Sequence, residues 1–203
     1  MLHNKTIFLK MTKLILFLMI PYYPCHAFEY SDLQKNIQDH LESNNTYIFS
    51  NVTSEKEIQN FNFKAIGLHQ QDCHSAMKVI GQYENYQNHV SFITKSTYQN
   101  ERINLSLSSA FLPFDMVLNF KLPRITGEGT YPFIFDNGFL RDLKGDIYVQ
   151  KFSKNKKFNC LIGMQAQWSG PKTKIPDYIF EMFTKTIGEI GLSKLFRMSG
   201  HRF

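Results

Sequence analysis

The chain has 203 residues, of which 43% are hydrophobic, 15% aromatic and 20% charged. This composition suffices for one domain with a buried core and excludes an intrinsically disordered chain. The net charge is +6, but residues 28–203 carry 20 basic against 17 acidic side chains, too weak a basic balance to indicate nucleic-acid binding.

The first 27 residues have the pattern of a secretory signal peptide. A basic segment at 1–13 precedes an apolar run at 14–20, and small residues Cys25 and Ala27 stand just before a predicted cut after Ala27. The apolar run is about half of the ~20 residues that a membrane-spanning helix needs, and prolines follow it. We therefore predict a signal peptide and a secreted or periplasmic protein, with an uncleaved membrane anchor as the alternative.

Residues 28–60 are interpreted as an N-terminal extension. Leu33, Ile37 and Leu41 recur at intervals of four, which predicts a short amphipathic helix. The polar segment after it is expected to be irregular, with a strand in part of it. Regular alternation of apolar and polar residues begins at Phe61, so the main domain is placed at 61–203.

The main domain is predicted to be mostly β-structure, with helices in two places. Segment 75–90 indicates two short helices separated at Gly81, and segment 175–198 has the apolar spacing of one long helix. About seven segments alternate with period two, the last at 158–168. Their apolar faces include Phe61, Phe63, Ala65, Gly67, Ile103, Leu105, Leu107, Met116, Leu118, Phe120, Phe133, Phe135, Cys160, Ile162, Met164, Ala166 and Trp168.

This order of elements resembles the START-like or SRPBCC superfamily, which includes polyketide cyclases and coenzyme Q-binding proteins. The resemblance is carried by AMKVIGQYENYQNHV at 76–90, FIFDNGFLRDLKGDIYV at 133–149 and the end segment at 168–200. It implies an α+β helix-grip fold. In that fold a curved antiparallel sheet of about seven strands wraps around a long C-terminal helix, and two short helices follow the first strand.

The resemblance also implies a hydrophobic cavity between the sheet and the C-terminal helix. Such a cavity would suit an apolar small molecule, such as a lipid, a quinone or a polyketide-like compound. A close-packed core without a cavity is the alternative. The residues predicted to line the cavity are Phe92, Phe120, Phe133, Phe135, Trp168, Met182, Phe183 and Ile187.

Catalytic motifs are missing from the sequence. It contains no HExxH, GxSxG, CxxC or Walker A motif. Nearly every position on the inward strand faces is apolar or aromatic, so no obvious base for acid–base catalysis is present. We favour an exported binding or carrier protein without catalytic activity or cofactor, which is compatible with peripheral membrane contact. The alternatives are a cyclase- or hydrolase-type enzyme and an envelope interaction module. The sequence leaves the oligomeric state open.

The segment HQQDCH at 69–74 brings together groups that can bind a metal, namely His69, Asp72, Cys73 and His74. No second paired-ligand motif accompanies it, and three cysteines in the chain exclude a four-cysteine zinc site. We therefore predict no metal site.

In the family fold the first and last strands pair antiparallel, and this implies a role for two cysteines. Export would leave Cys73 and Cys160 in an oxidising compartment, where a disulfide is expected. Placing them directly opposite each other sets a register that also pairs Ala65 with Trp168 and Gly67 with Ala166. Two buried free thiols are the alternative.

Overall fold

The structure is a computed structural model that describes residues 29–110, 112 and 114–203. The predicted signal peptide at 1–27 lies outside these residues. The chain divides into two compact units, Met1–Asp32 and Leu33–Phe203. The described part of the first unit contains one 3-10 turn, Tyr30–Asp32. All other described elements belong to the second unit.

Within the described residues, the second unit consists of one eight-stranded sheet, three α-helices and a 3-10 helix. None of these helices combines the length and the apolar character that crossing a membrane requires. The helices are α1 Lys35–Glu42, α2 Cys73–Ile80, the 3-10 helix Tyr83–Asn88 and α3 Asp177–Met198. The strands are β1 Tyr47–Glu55, β2 Ile58–His69, β3 Ile93–Gln99, β4 Arg102–Leu107, β5 Met116–Lys121, β6 Gly129–Asn137, β7 Lys144–Lys151 and β8 Cys160–Pro171.

The sheet is antiparallel throughout, in the order β1-β2-β8-β7-β6-β5-β4-β3. The predicted α+β helix-grip architecture is confirmed, with one strand more than the expected seven. The additional strand is β1, which lies in the polar segment of the extension and pairs with β2 from Tyr47 to Glu55. The sheet therefore begins ahead of Phe61, where we had placed the start of the main domain.

The predicted pairing of the first and last strands of the family fold is present, but its register is wrong by four residues. Ala65 of β2 lies opposite Met164 of β8, not Trp168, and Gly67 lies opposite Ile162, not Ala166. A shift by an even number of residues leaves every side chain on its predicted face, because side chains in a strand alternate with period two. The inward faces are consequently as predicted.

The predicted disulfide between Cys73 and Cys160 is present, with the two Cα atoms 5.0 Å apart. It links a helix to the sheet and not two strands, because Cys73 is the first residue of α2. The Asp72 carboxylate caps this helix by accepting a hydrogen bond from the Ser75 amide at 2.9 Å. Cys160 opens β8, where His69 is its partner in the ladder.

Candidate ligand cavity

A cavity of about 340 Å³ lies between the concave face of the sheet and helix α3. This volume lies at the lower end of the range of small-molecule sites. Among the described residues, every strand except β1 contributes to the lining, together with α2, the 3-10 helix and α3. Residues from these elements include Phe61, Ala65, Met77, Tyr83, Tyr86, Ile93, Leu105, Leu118, Phe133, Met164, Phe183 and Gly191, and Phe92 lines the cavity from the segment just before β3.

Six of the eight residues predicted to line the cavity do so. They are Phe92, Phe120, Phe133, Phe135, Phe183 and Ile187. The strand residues were found by period two, and each lies on the face that this period assigns to the interior.

The other two predicted residues, Met182 and Trp168, do not border the cavity. Met182 lies on the outer side of α3 with 56% of its surface exposed, because the face that meets the sheet includes its neighbour Phe183. Trp168 is buried on the predicted side of β8, but it packs against Phe180 beyond the cavity. Its indole Nε1 donates a hydrogen bond to the Arg141 carbonyl at 2.8 Å, which fixes the ring there.

Only three polar side chains belong to the described lining, and all are hydroxyls that already have protein partners. Tyr83 donates to the Pro123 carbonyl at 3.0 Å and accepts from the Ile125 amide at 3.1 Å. Tyr86 donates to the Ile80 carbonyl at 2.7 Å. Thr184 lies 2.7 Å from the Ser50 hydroxyl and 2.8 Å from the Phe180 carbonyl. The walls therefore present hydrocarbon to whatever lies inside.

Burial keeps the two tyrosines in their neutral form. Desolvation raises the pKa of Tyr83 and raises that of Tyr86 well above its ordinary value. The guanidinium of Arg124 opposes this effect slightly; it stacks over the Tyr98 ring at 4.4 Å and pairs with Glu84 at 3.0 Å. A neutral tyrosine whose hydroxyl hydrogen is engaged cannot act as a general base near neutral pH.

Two groups of aromatic rings form much of the cavity wall. On β5 and β6, Phe120 stacks on Phe135 with ring centroids 4.8 Å apart, and Phe133 packs edge-on to Phe120. On α3, Phe183 lines the cavity and stacks on Phe180, which lies behind it outside the lining, with ring centroids 5.3 Å apart. Such pairs add to the stabilisation that comes from burial of the rings alone, so these walls are firmly packed around the space that they enclose.

Helix α3 is held on β1 and on the start of β2 by a row of polar contacts. Asp177 at the start of the helix accepts hydrogen bonds from Ser54 and Gln59, both at 2.7 Å. These bonds lower the pKa of the Asp177 carboxyl, the bond from Ser54 most strongly. Further along α3, the Glu181 carboxylate accepts from the Val52 amide at 3.3 Å. The Ser50–Thr184 contact described above continues the same row. We call these contacts the β1 seam.

Two glycines of α3 differ in the space around them. A Cβ atom at Gly188 would lie 2.8 Å from Phe63 Cζ and 3.2 Å from Ile48 Cγ2, so this glycine lets the helix approach β1 and β2 closely. A Cβ at Gly191 would meet only Phe92 Cζ, at an ordinary 3.8 Å. Both glycines border the cavity, but only Gly191 has room for a side chain.

The C-terminal end of α3 is anchored by a buried histidine pair. The Gln71 amide donates to His69 Nδ1 at 3.1 Å, so the proton of the neutral ring is on Nε2, which donates to the Ser199 hydroxyl at 2.9 Å. The His201 ring lies 5.2 Å from that of His69, and its Nδ1 has no hydrogen-bond partner among the described residues. Burial, followed by the charges of His69 and Lys157, lowers the pKa of His201 to about 4.

The four side chains of segment 69–74 that could bind a metal each have a different structural role. His69 belongs to the histidine pair, Asp72 caps α2 and Cys73 forms the disulfide. His74 Nδ1 lies 3.0 Å from the Thr126 carbonyl. Across the described part of the chain no group of three or more metal-ligating side chains occurs.

The sequence analysis missed the contribution of α2 and the 3-10 helix to the cavity. Met77 and Ile80 of α2 and the two tyrosines line it. The interval of three between Met77 and Ile80 was a usable signal, because residues at that spacing share one face of a helix. For the tyrosines the sequence offers no comparable signal, because a 3-10 helix of six residues is too short to show a period.

Solved structures of known proteins share this architecture, although their sequences are only distantly similar. No protein-family model matches the chain, and no curated protein matches it. The di-domain ARO/CYC protein StfQ of the steffimycin biosynthetic pathway matches with a TM-score of 0.50 and 7% identity, over 68% of this chain and half of that one.

Two further solved structures are similar at lower scores. A STAR-related lipid transfer protein from Xanthomonas axonopodis matches with a TM-score of 0.48 and 12% identity, over 74% of this chain and 98% of that one. Human STARD10 matches with a TM-score of 0.46 and 12% identity, over 74% and 72%. The strand order, the long C-terminal helix and the StfQ match agree: the chain has the START-like helix-grip fold.

Proposed function

We propose that this protein is an exported, non-catalytic binding or carrier protein for a hydrophobic ligand. The observation that supports the proposal is the cavity of about 340 Å³, whose described lining is hydrocarbon apart from three engaged hydroxyls. A space of this size with apolar walls is poorly suited to water, which needs two to four polar partners. An apolar ligand would fill it favourably, because its transfer from water removes hydrocarbon surface from the solvent.

The same lining supports binding over the enzyme alternative. Acid–base catalysis needs an ionisable group within hydrogen-bond reach of the reacting atoms. In the described lining the only ionisable groups are Tyr83 and Tyr86, whose pKa values burial raises. The Ser, Cys and His residues that the structure describes lie outside the cavity walls, so no nucleophile–base pair faces a bound molecule.

The export part of the proposal draws on the disulfide. Disulfides persist in oxidising compartments and are rare where thiols are kept reduced. The Cys73–Cys160 bond therefore favours a secreted or periplasmic location, in agreement with the N-terminal pattern of the sequence. Peripheral contact with a membrane, from which an apolar ligand could be taken, remains part of this proposal.

Extraction of the protein purified from its native source, followed by mass spectrometry, tests the proposed function. We expect an apolar small molecule at a fixed ratio to the protein. Two variants of α3 provide a matched comparison, because Ile187→Trp places a large ring in the cavity and Met182→Trp places the same ring outside it.

The extracted amount should fall in Ile187→Trp and remain unchanged in Met182→Trp, with both proteins folded by circular dichroism. The proposed function is contradicted if the native protein yields no apolar molecule and the empty protein takes up no fluorescent apolar probe.

A further inference from the structure

The described cavity wall offers no free hydrogen-bond donor to a ligand. Its polar side chains are Tyr83, Tyr86 and Thr184, and the structure gives each hydroxyl hydrogen an acceptor within the protein. A carboxylate, carbonyl or phosphate oxygen inside the cavity would lose its hydration and gain no replacement bond. Burial of such a group without a partner is strongly unfavourable, most of all when the group is charged. The polar part of a ligand is thus excluded from this space.

The volume limits how much hydrocarbon can enter. A methylene group occupies about the same volume as one water molecule in the liquid, ~30 Å³. The cavity of about 340 Å³ therefore accommodates about eleven such groups. Two chains of sixteen carbons would require roughly 960 Å³ on the same basis, far more than the cavity provides.

We propose, resting on the proposed function above, that the ligand is an amphiphile or hydrocarbon with a single chain, of which about eleven carbons enter the cavity while any polar group stays outside it. The cavity then acts as a length gauge. Each methylene that enters improves the affinity about fourfold, from ~0.8 kcal/mol per buried methylene. Methylenes beyond the capacity of the cavity add nothing or reduce the affinity.

A side chain introduced at Gly191 should reduce the length of hydrocarbon chain that the cavity accommodates. It borders the cavity, and its nearest neighbour across that space, Phe92 Cζ, would lie 3.8 Å from an added Cβ. A leucine there adds four carbon atoms to the enclosed space and replaces a residue that disfavours helix. Gly127 is a matched control, because a Cβ there meets nothing within 4 Å and this residue does not border the cavity.

The experiment is a competition assay on the delipidated full-length mature protein. A fluorescent alkanoic acid serves as the probe, and straight-chain alkanoic acids of six to eighteen carbons serve as competitors, below their micelle concentrations. We expect the affinity to rise about fourfold per methylene up to about twelve carbons, including the carboxyl carbon, and then to stop rising. Protein incubated with vesicles of dioleoylphosphatidylcholine, a lipid with two chains, and then separated from them should carry none of this lipid when it is extracted and measured by mass spectrometry.

The turning point is the chain length at which the affinity stops rising. It should be shorter by about three or four carbons in Gly191→Leu and by about one in Gly191→Ala, since each side-chain carbon removes about one methylene volume. Gly127→Leu should leave it unchanged. The length limit would be overturned, with the proposed function intact, if the chain length at which the affinity stops rising does not move in folded Gly191→Leu and Gly191→Ala. Retention of the two-chain lipid by the separated protein would overturn it as well. Failure of the wild-type protein to bind the probe at all would overturn the proposed function itself.

Discussion

The two sides of helix α3 meet the sheet in different ways. Towards β1, the β1 seam joins Asp177 to Ser54 and Thr184 to Ser50, and Gly188 lets the helix approach closely. Towards β4, β5 and β6, the same helix stands away from Leu105, Phe120 and Phe133 across the cavity. Protein interiors are normally close-packed. Here one closely packed side fixes the helix at a distance from the strands opposite, so the cavity follows from where α3 is anchored.

The largest effect is expected from placing a charge on the cavity side of α3. Phe183 is 2% exposed, and Phe183→Asp should lower the free energy of unfolding by at least about 5 kcal/mol, because it removes a buried ring and buries a carboxylate without a partner. The total stability of a domain is typically about 5–15 kcal/mol, so this variant should be unfolded or nearly so. Urea denaturation checks this expectation.

Met182→Asp is the control for that variant, since the side chain of Met182 is mostly exposed on the other side of the helix. A change of about 0.5 kcal/mol or less is expected there. Equal loss of stability in both variants would contradict the assignment of the two faces.

The second largest effect should come from removing the disulfide, which attaches α2 and its cavity residues to the sheet. Its cysteines are 87 positions apart, and opening a loop of this length should cost about 4 kcal/mol. We expect Cys73→Ser/Cys160→Ser to show a much lower melting temperature than the oxidised wild-type protein. The wild-type protein treated with a reducing agent should melt close to the double variant. If reduction leaves the melting temperature unchanged, the bond does not contribute to stability as inferred.

An intermediate effect concerns acidification at the histidine pair. The folded protein holds the pKa of His201 near 4, whereas an unperturbed histidine has a pKa of about 6.5. Between pH 6.5 and pH 4 the imidazole of His201 is therefore mostly protonated in the unfolded chain and mostly neutral in the folded protein. The free energy of unfolding should fall by about 2 kcal/mol between pH 7.5 and pH 5, and should stop changing at this residue once the pH is below 4.

Urea denaturation at the two pH values measures this dependence. His69, whose pKa is also lowered by burial, adds to the change in the same direction. Asp72 and Asp177 titrate below this window, because their pKa values are lowered from 3.8. His201→Gln should make the dependence shallower, and an unchanged slope in that variant would rule out His201 as its source.

The smallest effect separates the two glycines and tests most directly whether the two sides of α3 are packed differently. Gly188→Ala should destabilise the protein by about 1 kcal/mol, since the clash with Phe63 outweighs the gain in helix propensity. Gly191→Ala should stabilise it by up to about 1 kcal/mol, because the added methyl group has room. Melting temperatures of the two variants should move in opposite directions. A shift of the same sign would mean that the two sides of α3 are packed alike.

The sequence was sufficient to predict which face of each strand points inward, but not how the strands are aligned with one another. Period two placed Phe120, Phe133 and Phe135 in the interior, where they line the cavity. It cannot distinguish registers that differ by an even number of residues, which is why Ala65 was paired with Trp168 and not with Met164. The two cysteines of the disulfide were predicted correctly. The register derived from them is wrong, because Cys73 lies in α2, beyond the end of β2, and not in the strand opposite Cys160.

The cavity side of helix α3 and the extent of strand β1 were predicted only in part, because polarity did not follow burial in these two elements. The outer side of α3 carries Tyr178 and Met182, so the apolar stripe alone did not identify the cavity face. In β1 the side chains of Ser50 and Ser54 point at polar groups of α3 and not at a hydrophobic core. A strand whose inward face is partly polar lacks the alternation by which strands are found.

The engaged hydroxyls of Tyr83, Tyr86 and Thr184 have a thermodynamic consequence for any bound ligand. With no new hydrogen bond or ion pair to form, association inside the cavity would consist of removing apolar surface from water. Its signature is a large negative change in heat capacity, and therefore an enthalpy of binding that becomes more favourable as the temperature rises. The binding constant would at the same time depend little on salt, since no charged group takes part inside the cavity. Isothermal titration calorimetry at several temperatures would measure this heat-capacity change and so test whether the cavity wall offers only hydrocarbon to the ligand.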